Sequence, residues 1–226
     1  GYEVGDNIQG GNGNKILINT VGYAPNSFFV YEQLYDANKK PIAGAYVDRN
    51  GDGKIDASDR YRYKKPTADY TFGLFSTLNY KKFDFSVDTY GVGGNKLYNG
   101  KKAQRFGGEN VEYDVLNNFW TPSNPNAANP RPFNEVPRSS TYYIEDGSYL
   151  RINNITLGYT FPKFFDQIDK VRLYATAINP FIFTKFSGYS PELSGNNNAD
   201  PLGSAGIELD AYPTNKTFLL GLNVSF

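Results

Sequence analysis

Apolar and polar residues alternate with a period of two along several segments of this chain, most regularly in 217–226. The apolar positions there are Phe218, Leu220, Leu222, Val224 and Phe226, and the intervening ones are Leu219, Gly221, Asn223 and Ser225. Because successive side chains of a strand point to opposite faces, the pattern predicts a strand with one continuous apolar face. An outer-membrane strand turns such a face to lipid and a more polar face to a wet lumen. The alternative is the terminal strand of a β-sandwich.

The same alternation predicts about seven strands in the whole chain. Their approximate bounds are 16–21, 27–34, 70–80, 83–88, 148–161, 170–179 and 217–226. We expect a register irregularity in the strand at 148–161, at Asn153-Asn154. Strands of about ten residues match a tilted crossing of the hydrocarbon layer, so the chain is predicted to be all-β and antiparallel.

Short and long connections alternate between these segments. The segments 24–26, 79–82 and 162–169 are short, whereas 35–69, 93–147 and 180–216 are long and rich in Gly, Pro, Asn and Asp. Transmembrane barrels show this asymmetry, with short periplasmic turns and long extracellular loops. Long structureless loops would be unusual inside a compact soluble domain. The connections therefore favour a barrel over a sandwich.

The predicted number of strands is odd, whereas bacterial single-chain barrels have an even number. About seven strands could not close around a lumen without leaving open edges. We therefore expect residues 1–226 to be the C-terminal part of a larger barrel. The polar, glycine-rich start at Gly1 contains no signal peptide, so an exported protein would need a preceding segment.

Composition excludes several other classes of protein. The 226 residues carry a formal net charge of +0, which gives no electrostatic reason to expect a nucleic-acid partner. The mean hydropathy is -0.54, and a run of about 18 apolar residues, as a helical membrane span requires, is missing from the sequence. With His 0 and Cys 0, the usual general base and thiolate nucleophile are unavailable. We therefore expect a protein that is not an enzyme.

One acidic segment, 48–59 (DRNGDGKIDASD), resembles a calcium-binding loop of the EF-hand type. The candidate ligands are Asp48, Asn50, Asp52, the backbone carbonyl of Lys54, and Asp59. Calcium prefers six to eight oxygen ligands, and a glycine at the sixth loop position permits the sharp turn. The last ligand position carries Asp59 where EF-hands have Glu, so bidentate ligation is less certain. The alternative interpretation is a solvated turn rich in Asp, Asn and Gly.

Four segments together resemble the SusC/RagA family of TonB-dependent transporters. They are 46–56 (YVDRNGDGKID), 144–159 (IEDGSYLRINNITLGY), 179–192 (NPFIFTKFSGYSPE) and 221–226 (GLNVSF). They occur in the order typical of the family and extend over most of the chain. Two positions depart from the family pattern: Pro180 stands where an aliphatic residue is common, and Ser190 where Asp usually precedes Pro-Glu.

The resemblance implies a 22-stranded outer-membrane barrel with an internal plug, of which this chain would form the C-terminal third. It also implies a cell outer membrane location and surrounding outer-membrane lipid. Import of an oligosaccharide or peptide substrate would draw energy from a TonB complex, through an N-terminal part not present here. A SusD-like surface lipoprotein would act as a lid. The alternative hypothesis is a secreted, calcium-stabilised β-sandwich module that binds carbohydrate.

Overall fold

The computed structural model describes residues 1–4, 15–104, 113–127, 129, 138–163, 168–192, 206–208 and 213–226. These residues form two compact units that alternate along the chain. One unit consists of 1–68, 95–147 and 186–212, and the other of 69–94, 148–185 and 213–226. We call them the core unit and the sheet unit.

Strands dominate both units, which confirms the all-β prediction. The strands are β1 Tyr2–Val4, β2 Leu17–Asn19, β3 Ser27–Val30, β4 Gln33–Tyr35, β5 Pro41–Tyr46, β6 Tyr61–Arg62, β7 Tyr70–Tyr80, β8 Phe83–Gly93, β9 Lys96–Asn99, β10 Ile144–Asp146, β11 Tyr149–Phe161, β12 Lys170–Thr184, β13 Ile207–Glu208 and β14 Thr217–Ser225. Two short α-helices, α1 Gly100–Gln104 and α2 Tyr113–Asn117, and 3₁₀ turns at Ala57–Asp59 and Thr141–Tyr143 accompany them. In the described part of the chain, no helix is long and apolar enough to cross a membrane.

The sheet unit is a five-stranded antiparallel sheet in the order β14-β12-β11-β8-β7. Its register brings most apolar positions of all five strands onto one face. One row across that face is Leu78, Phe85, Leu157, Ala175 and Leu220. The adjacent row on the other face is Thr77, Ser86, Thr156, Thr176 and Leu219. The two-faced pattern predicted for single strands is therefore continuous across the sheet, and we call its sides the apolar face and the polar face.

A bulge interrupts the sheet where the sequence predicted an irregularity. The pairing of β11 with both β8 and β12 shifts between Ile152 and Asn154, which confirms that prediction. On β12 the shift coincides with Asn179, whose φ of 49° is left-handed, and with Pro180, which has no N–H to donate. A bulge re-aims side chains, and here it places Asn153 next to Asn154 without reversing the faces of the strand.

The two N-terminal segments depart from the predicted long strands. The segment 16–21 contains only the short β2, and 27–34 is divided between β3 and the start of β4. Neither belongs to the five-stranded sheet. The physical reason is burial: Leu17, Phe28 and Val30 are 0% exposed because they form part of a hydrophobic core instead of an outward-facing surface.

The core unit also contains most of the residues that the sequence predicted to be long loops. Its core is made of Ile16, Leu17, Phe28, Val30, Tyr98, Ala103, Tyr143 and Ile207. Four of these residues come from the segments 93–147 and 180–216, where the sequence predicted loops without regular structure. The described parts of these segments contribute the paired strands β9 and β10 and pack around aromatic side chains of the core.

Candidate functional site

The polar face of the sheet carries an ion pair that joins three strands. Arg172 on β12 donates from Nε to Oδ1 of Asp84 on β8 at 2.8 Å, and from Nη2 to Oδ2. The intervening residue on β11 is Gly158, which pairs with Asp84 and lies two positions from Thr160, the partner of Arg172 in the register. A Cβ at Gly158 would lie 2.6 Å from Arg172 Nη2, so only glycine leaves room for this pair.

An aromatic side chain of the polar face lies over a second glycine. The ring of Tyr174 covers Gly221 on β14, and the Arg172 guanidinium lies 4.8 Å from the centre of that ring. Further along β11, the hydroxyls of Thr156 and Thr176 form a hydrogen bond of 2.8 Å. These contacts include hydroxyl and guanidinium groups, which fit a surface that faces water.

Asp88, on the polar face of β8, is part of a separate polar group at the bulge. Arg151 Nε donates to Asn153 Oδ1 at 2.6 Å. Asn153 Nδ2 in turn donates to Asp88 Oδ2 at 3.1 Å. The bulge therefore brings a guanidinium, an amide and a carboxylate into one hydrogen-bonded series.

On the apolar face, aromatic rings cover glycines at one end of the sheet. Phe72 lies over Gly91, and Tyr70 lies over Gly93. Large apolar side chains remain exposed: Phe218 is 75% exposed and Leu220 is 77% exposed. A contiguous exposed apolar surface of this kind marks a contact with lipid or another apolar partner.

The acidic loop at 48–59 folds around its own backbone N–H groups. Asp48 accepts hydrogen bonds from Gly51 N at 2.7 Å and from Gly53 N at 2.8 Å. Asn50 Oδ1 accepts from Asp52 N at 3.0 Å, and Asp52 Oδ1 accepts from Lys54 N at 2.8 Å. Gly51 and Gly53 have φ values of 73° and 82°, which favour glycine and allow the predicted sharp turn.

Asp59 joins the two ends of this loop by accepting hydrogen bonds from its backbone. It is 0% exposed, and its two carboxylate oxygens accept from Arg49 N at 2.9 Å and from Asp56 N at 2.8 Å. With Asp56 it forms a capping box on the 3₁₀ turn. Among the residues that the structure describes, no three His, Cys, Asp or Glu side chains are grouped as a metal site would need. Asp59 is therefore placed as an acceptor of backbone hydrogen bonds.

These hydrogen bonds also affect the acid–base behaviour of the loop. The N–H of Asp56, followed by that of Arg49, lowers the pKa of the Asp59 carboxyl. The Ser58 hydroxyl and N–H lower the pKa of Asp56. Both carboxylates are therefore held in the charged form that the loop geometry requires.

Basic side chains attach the loop to the rest of the core unit. Arg49 makes a salt bridge of 2.5 Å with Glu32, and its guanidinium lies 4.1 Å from the centre of the Tyr61 ring. Arg138 donates to the Ile55 carbonyl at 2.7 Å. These contacts join residues distant in sequence, so the roles of Arg49 and Arg138 at the acidic loop, and of Arg172 on the polar face, could not be predicted from spacing along the chain. The only signal in the sequence was the alternation along β12, which places Arg172 on the face opposite Val171 and Leu173.

Comparisons with known proteins agree with this geometry. The chain is 40% identical to the TonB-dependent receptor SusC of Bacteroides thetaiotaomicron, over 99% of this chain and 22% of the relative. It is 32% identical to the TonB-dependent receptor P3 of Formosa agariphila, over 91% of this chain and 22% of the relative. The chain thus spans about a fifth of the length of these relatives. No protein-family model matches it.

Among solved structures, the chain resembles the RagAB peptide transporter with a TM-score of 0.71 at 24% identity, covering 94% of this chain and 24% of that one. A structure of the RagAB peptide importer in the closed-closed state gives a TM-score of 0.68, also at 24% identity, over 93% of this chain and 24% of that one. At this identity the likeness establishes the fold.

The fold and the two-faced sheet define a segment of a β-barrel transporter. Together with the curated relatives, which are named as receptors and not as enzymes, they identify the family. The chain belongs to the SusC/RagA family of TonB-dependent transporters.

Proposed function

We propose that this protein imports oligomeric nutrients, oligosaccharides or oligopeptides, across the cell outer membrane with energy supplied through TonB. The observation that carries this proposal is the two-faced sheet in a chain 40% identical to a TonB-dependent receptor. In a soluble β-sandwich the apolar face would pack against a second sheet. Here Leu220 on that face is 77% exposed, which favours outer-membrane lipid over the secreted carbohydrate-binding module.

The five-stranded sheet would then form part of the C-terminal third of a 22-stranded barrel with a plugged lumen. Its polar face, with Asp84 and Arg172, would line the water-filled interior, and its apolar face would contact lipid. A SusD-like lipoprotein lid and a TonB complex are the proposed partners, because the family resemblance implies both. The described parts of the long connections in the core unit would offer the lid an ordered surface.

Deletion of the gene in the producing bacterium tests this proposal. We expect growth on at least one oligomeric nutrient to fail while growth on its monomer continues. The protein should fractionate with outer membranes and co-purify with a lipoprotein. Recovery of the protein in the soluble secreted fraction, with unchanged growth on all oligomers, would overturn the proposal.

We also propose that the loop at 48–59 binds a structural calcium ion. The donor set suits this hard ion, because Asp48, Asn50, Asp52, the Lys54 carbonyl and Asp59 all offer oxygen. The left-handed glycines already give the loop a tight turn. Each carboxylate oxygen of Asp59 accepts one backbone hydrogen bond, so it would bind the ion through its remaining lone pair.

Calcium binding can be measured by calorimetry on protein stripped with a chelator. We expect calcium to raise the thermal midpoint of the wild type and to do so much less in Asp48→Asn. Lys39→Gln, outside the loop, is the matched control that should behave as wild type. Absence of both heat and a thermal shift at millimolar calcium would show that the loop is held by its own hydrogen bonds alone.

A further inference from the structure

The polar face departs from its own pattern at the level of the bulge, where it carries large apolar side chains. Phe75 on β7 lies directly opposite Asp88 and is 69% exposed. On the other side of the bulge, Ile182 on β12 lies opposite Arg151 and is 41% exposed. Exposed aromatic and aliphatic groups on a wet surface cost free energy unless a partner covers them. Their concentration at one level therefore indicates a contact surface.

Two tyrosines complete this group. Tyr90 is the residue of β8 that pairs with Arg151, and Tyr149 lies two positions before Arg151 on β11. The centres of the two tyrosine rings are 6.3 Å apart, with an angle of 53° between the ring planes. Both rings are half-buried, so they offer aromatic surface while their hydroxyl ends can form hydrogen bonds.

Planar polar groups lie beside these rings on β8 and β11. Arg151, Asn153 and Asp88 form the hydrogen-bonded series described above, which fixes the guanidinium and the amide in orientation. A fixed guanidinium, amide and carboxylate match vicinal hydroxyl groups, which donate and accept at adjacent positions. Aromatic rings match the other property of a sugar, its flat C–H surface. A few placed polar groups in an aromatic surround are also the usual composition of a small-ligand site.

We propose that Phe75, Tyr90, Tyr149, Arg151, Asn153 and Asp88 form a saccharide-binding subsite on the lumen wall. The bulge creates the site, because it brings Asn153 to the same side as Asp88 and Arg151. The inference rests on the proposed import function and adds to it a ligand class, a neutral oligosaccharide, and the residues that contact it.

Calorimetry on the protein purified from outer membranes in detergent tests this inference. The probes are linear heptasaccharides of glucose, fructose and mannose, each used alone, and a heptapeptide library. We expect one saccharide to bind and Phe75→Ala to weaken that binding about tenfold, the effect of one lost aromatic contact. Phe75→Trp should retain binding within about threefold, and Arg151→Ala should weaken it at least as much as Phe75→Ala.

Leu219→Ala is the matched control, because Leu219 is an exposed apolar residue of the polar face away from the bulge. It should leave the affinity unchanged. Binding of peptides but of none of the saccharides would overturn the inference while leaving the import function standing. Unchanged saccharide affinity in Phe75→Ala would also overturn the inference. If the thermal midpoint of that variant fell at the same time, Phe75 would be packed against another segment of the protein instead of contacting a ligand.

Discussion

Gly158 provides a quantitative test of the ion pair on the polar face. A Cβ at this position would lie 2.6 Å from Arg172 Nη2 and 2.6 Å from Asp84 Oδ2, closer than non-bonded atoms approach. Gly158→Ala must therefore displace both side chains. The two groups are 23% and 26% exposed, so their pair lies between a surface pair, worth about 0.2–1 kcal/mol, and a buried one, whose disruption costs about 3–5 kcal/mol. We expect a loss of about 1–3 kcal/mol from this pair.

The backbone contribution has the opposite sign and can be measured separately. Replacing a strand glycine by alanine stabilises by roughly 0.5–1 kcal/mol when nothing obstructs the new methyl group. Gly73→Ala, on the same polar face, is the matched control, because its Cβ would meet only the Thr89 carbonyl at 3.7 Å. Gly158→Ala should thus be less stable than Gly73→Ala by about 1–3 kcal/mol.

Guanidinium unfolding of the protein in detergent micelles, followed by circular dichroism, gives both free energies. A double-mutant cycle assigns the loss: with Asp84→Asn and Arg172→Gln already present, the penalty of Gly158→Ala should disappear. If Gly158→Ala stabilises as much as Gly73→Ala, or if its penalty is the same in both backgrounds, then the ion pair does not depend on this glycine.

Three further predictions concern the sheet, the core unit and the acidic loop. Leu157→Arg on the apolar face should cost about 2–4 kcal/mol of unfolding free energy in lipid, whereas Thr156→Arg on the polar face should cost far less; equal costs would contradict the assignment of the two faces. Phe28→Ala, at a position 0% exposed, should destabilise the core unit by about 3–5 kcal/mol in denaturant titrations, and a change below about 1 kcal/mol would mean that this side chain is not packed. The lowered pKa of Asp59 means that its stabilising effect is complete above the ordinary value of 3.8 and is lost as pH falls through the lower folded value. The protection of the Arg49 and Asp56 amides against hydrogen exchange should therefore fall only below pH 3.8 in the wild type, but should already be reduced at neutral pH in Asp59→Asn.

Alternation in the sequence was enough to predict the sheet unit. In 70–80 and 217–226 the apolar positions other than Phe75 and Leu219 keep one parity, and the register places them on one face. The same alternation misled at 27–34, because a period of two does not distinguish side chains that face lipid from side chains that face a core. Phe28 and Val30 alternate as membrane-facing residues do, yet they are buried in the core unit.

Contacts between distant residues could not be predicted in the same way. Asp84 and Arg172 are 88 positions apart, and only the strand order brings them together. The acidic loop was recognisable by its Asp, Asn and Gly spacing, but the burial of Asp59 depends on the 3₁₀ turn Ala57–Asp59 at the end of the loop. The calcium ion itself stays a prediction, since the loop is already closed by its own N–H groups.

The central claim is that the sheet is a membrane wall with lipid on one face and water on the other. The chain has no cysteine, so single cysteines can be introduced for spin labelling along β7 and β14 in reconstituted bilayers. Labels at Leu74, Leu78, Leu220 and Leu222 should be relaxed by oxygen, which dissolves in lipid, and labels at Thr77, Asn79, Leu219 and Asn223 by a water-soluble nickel chelate. Strict alternation of the two accessibilities along each strand would support a barrel wall. Equal access of the nickel chelate to both parities would contradict it.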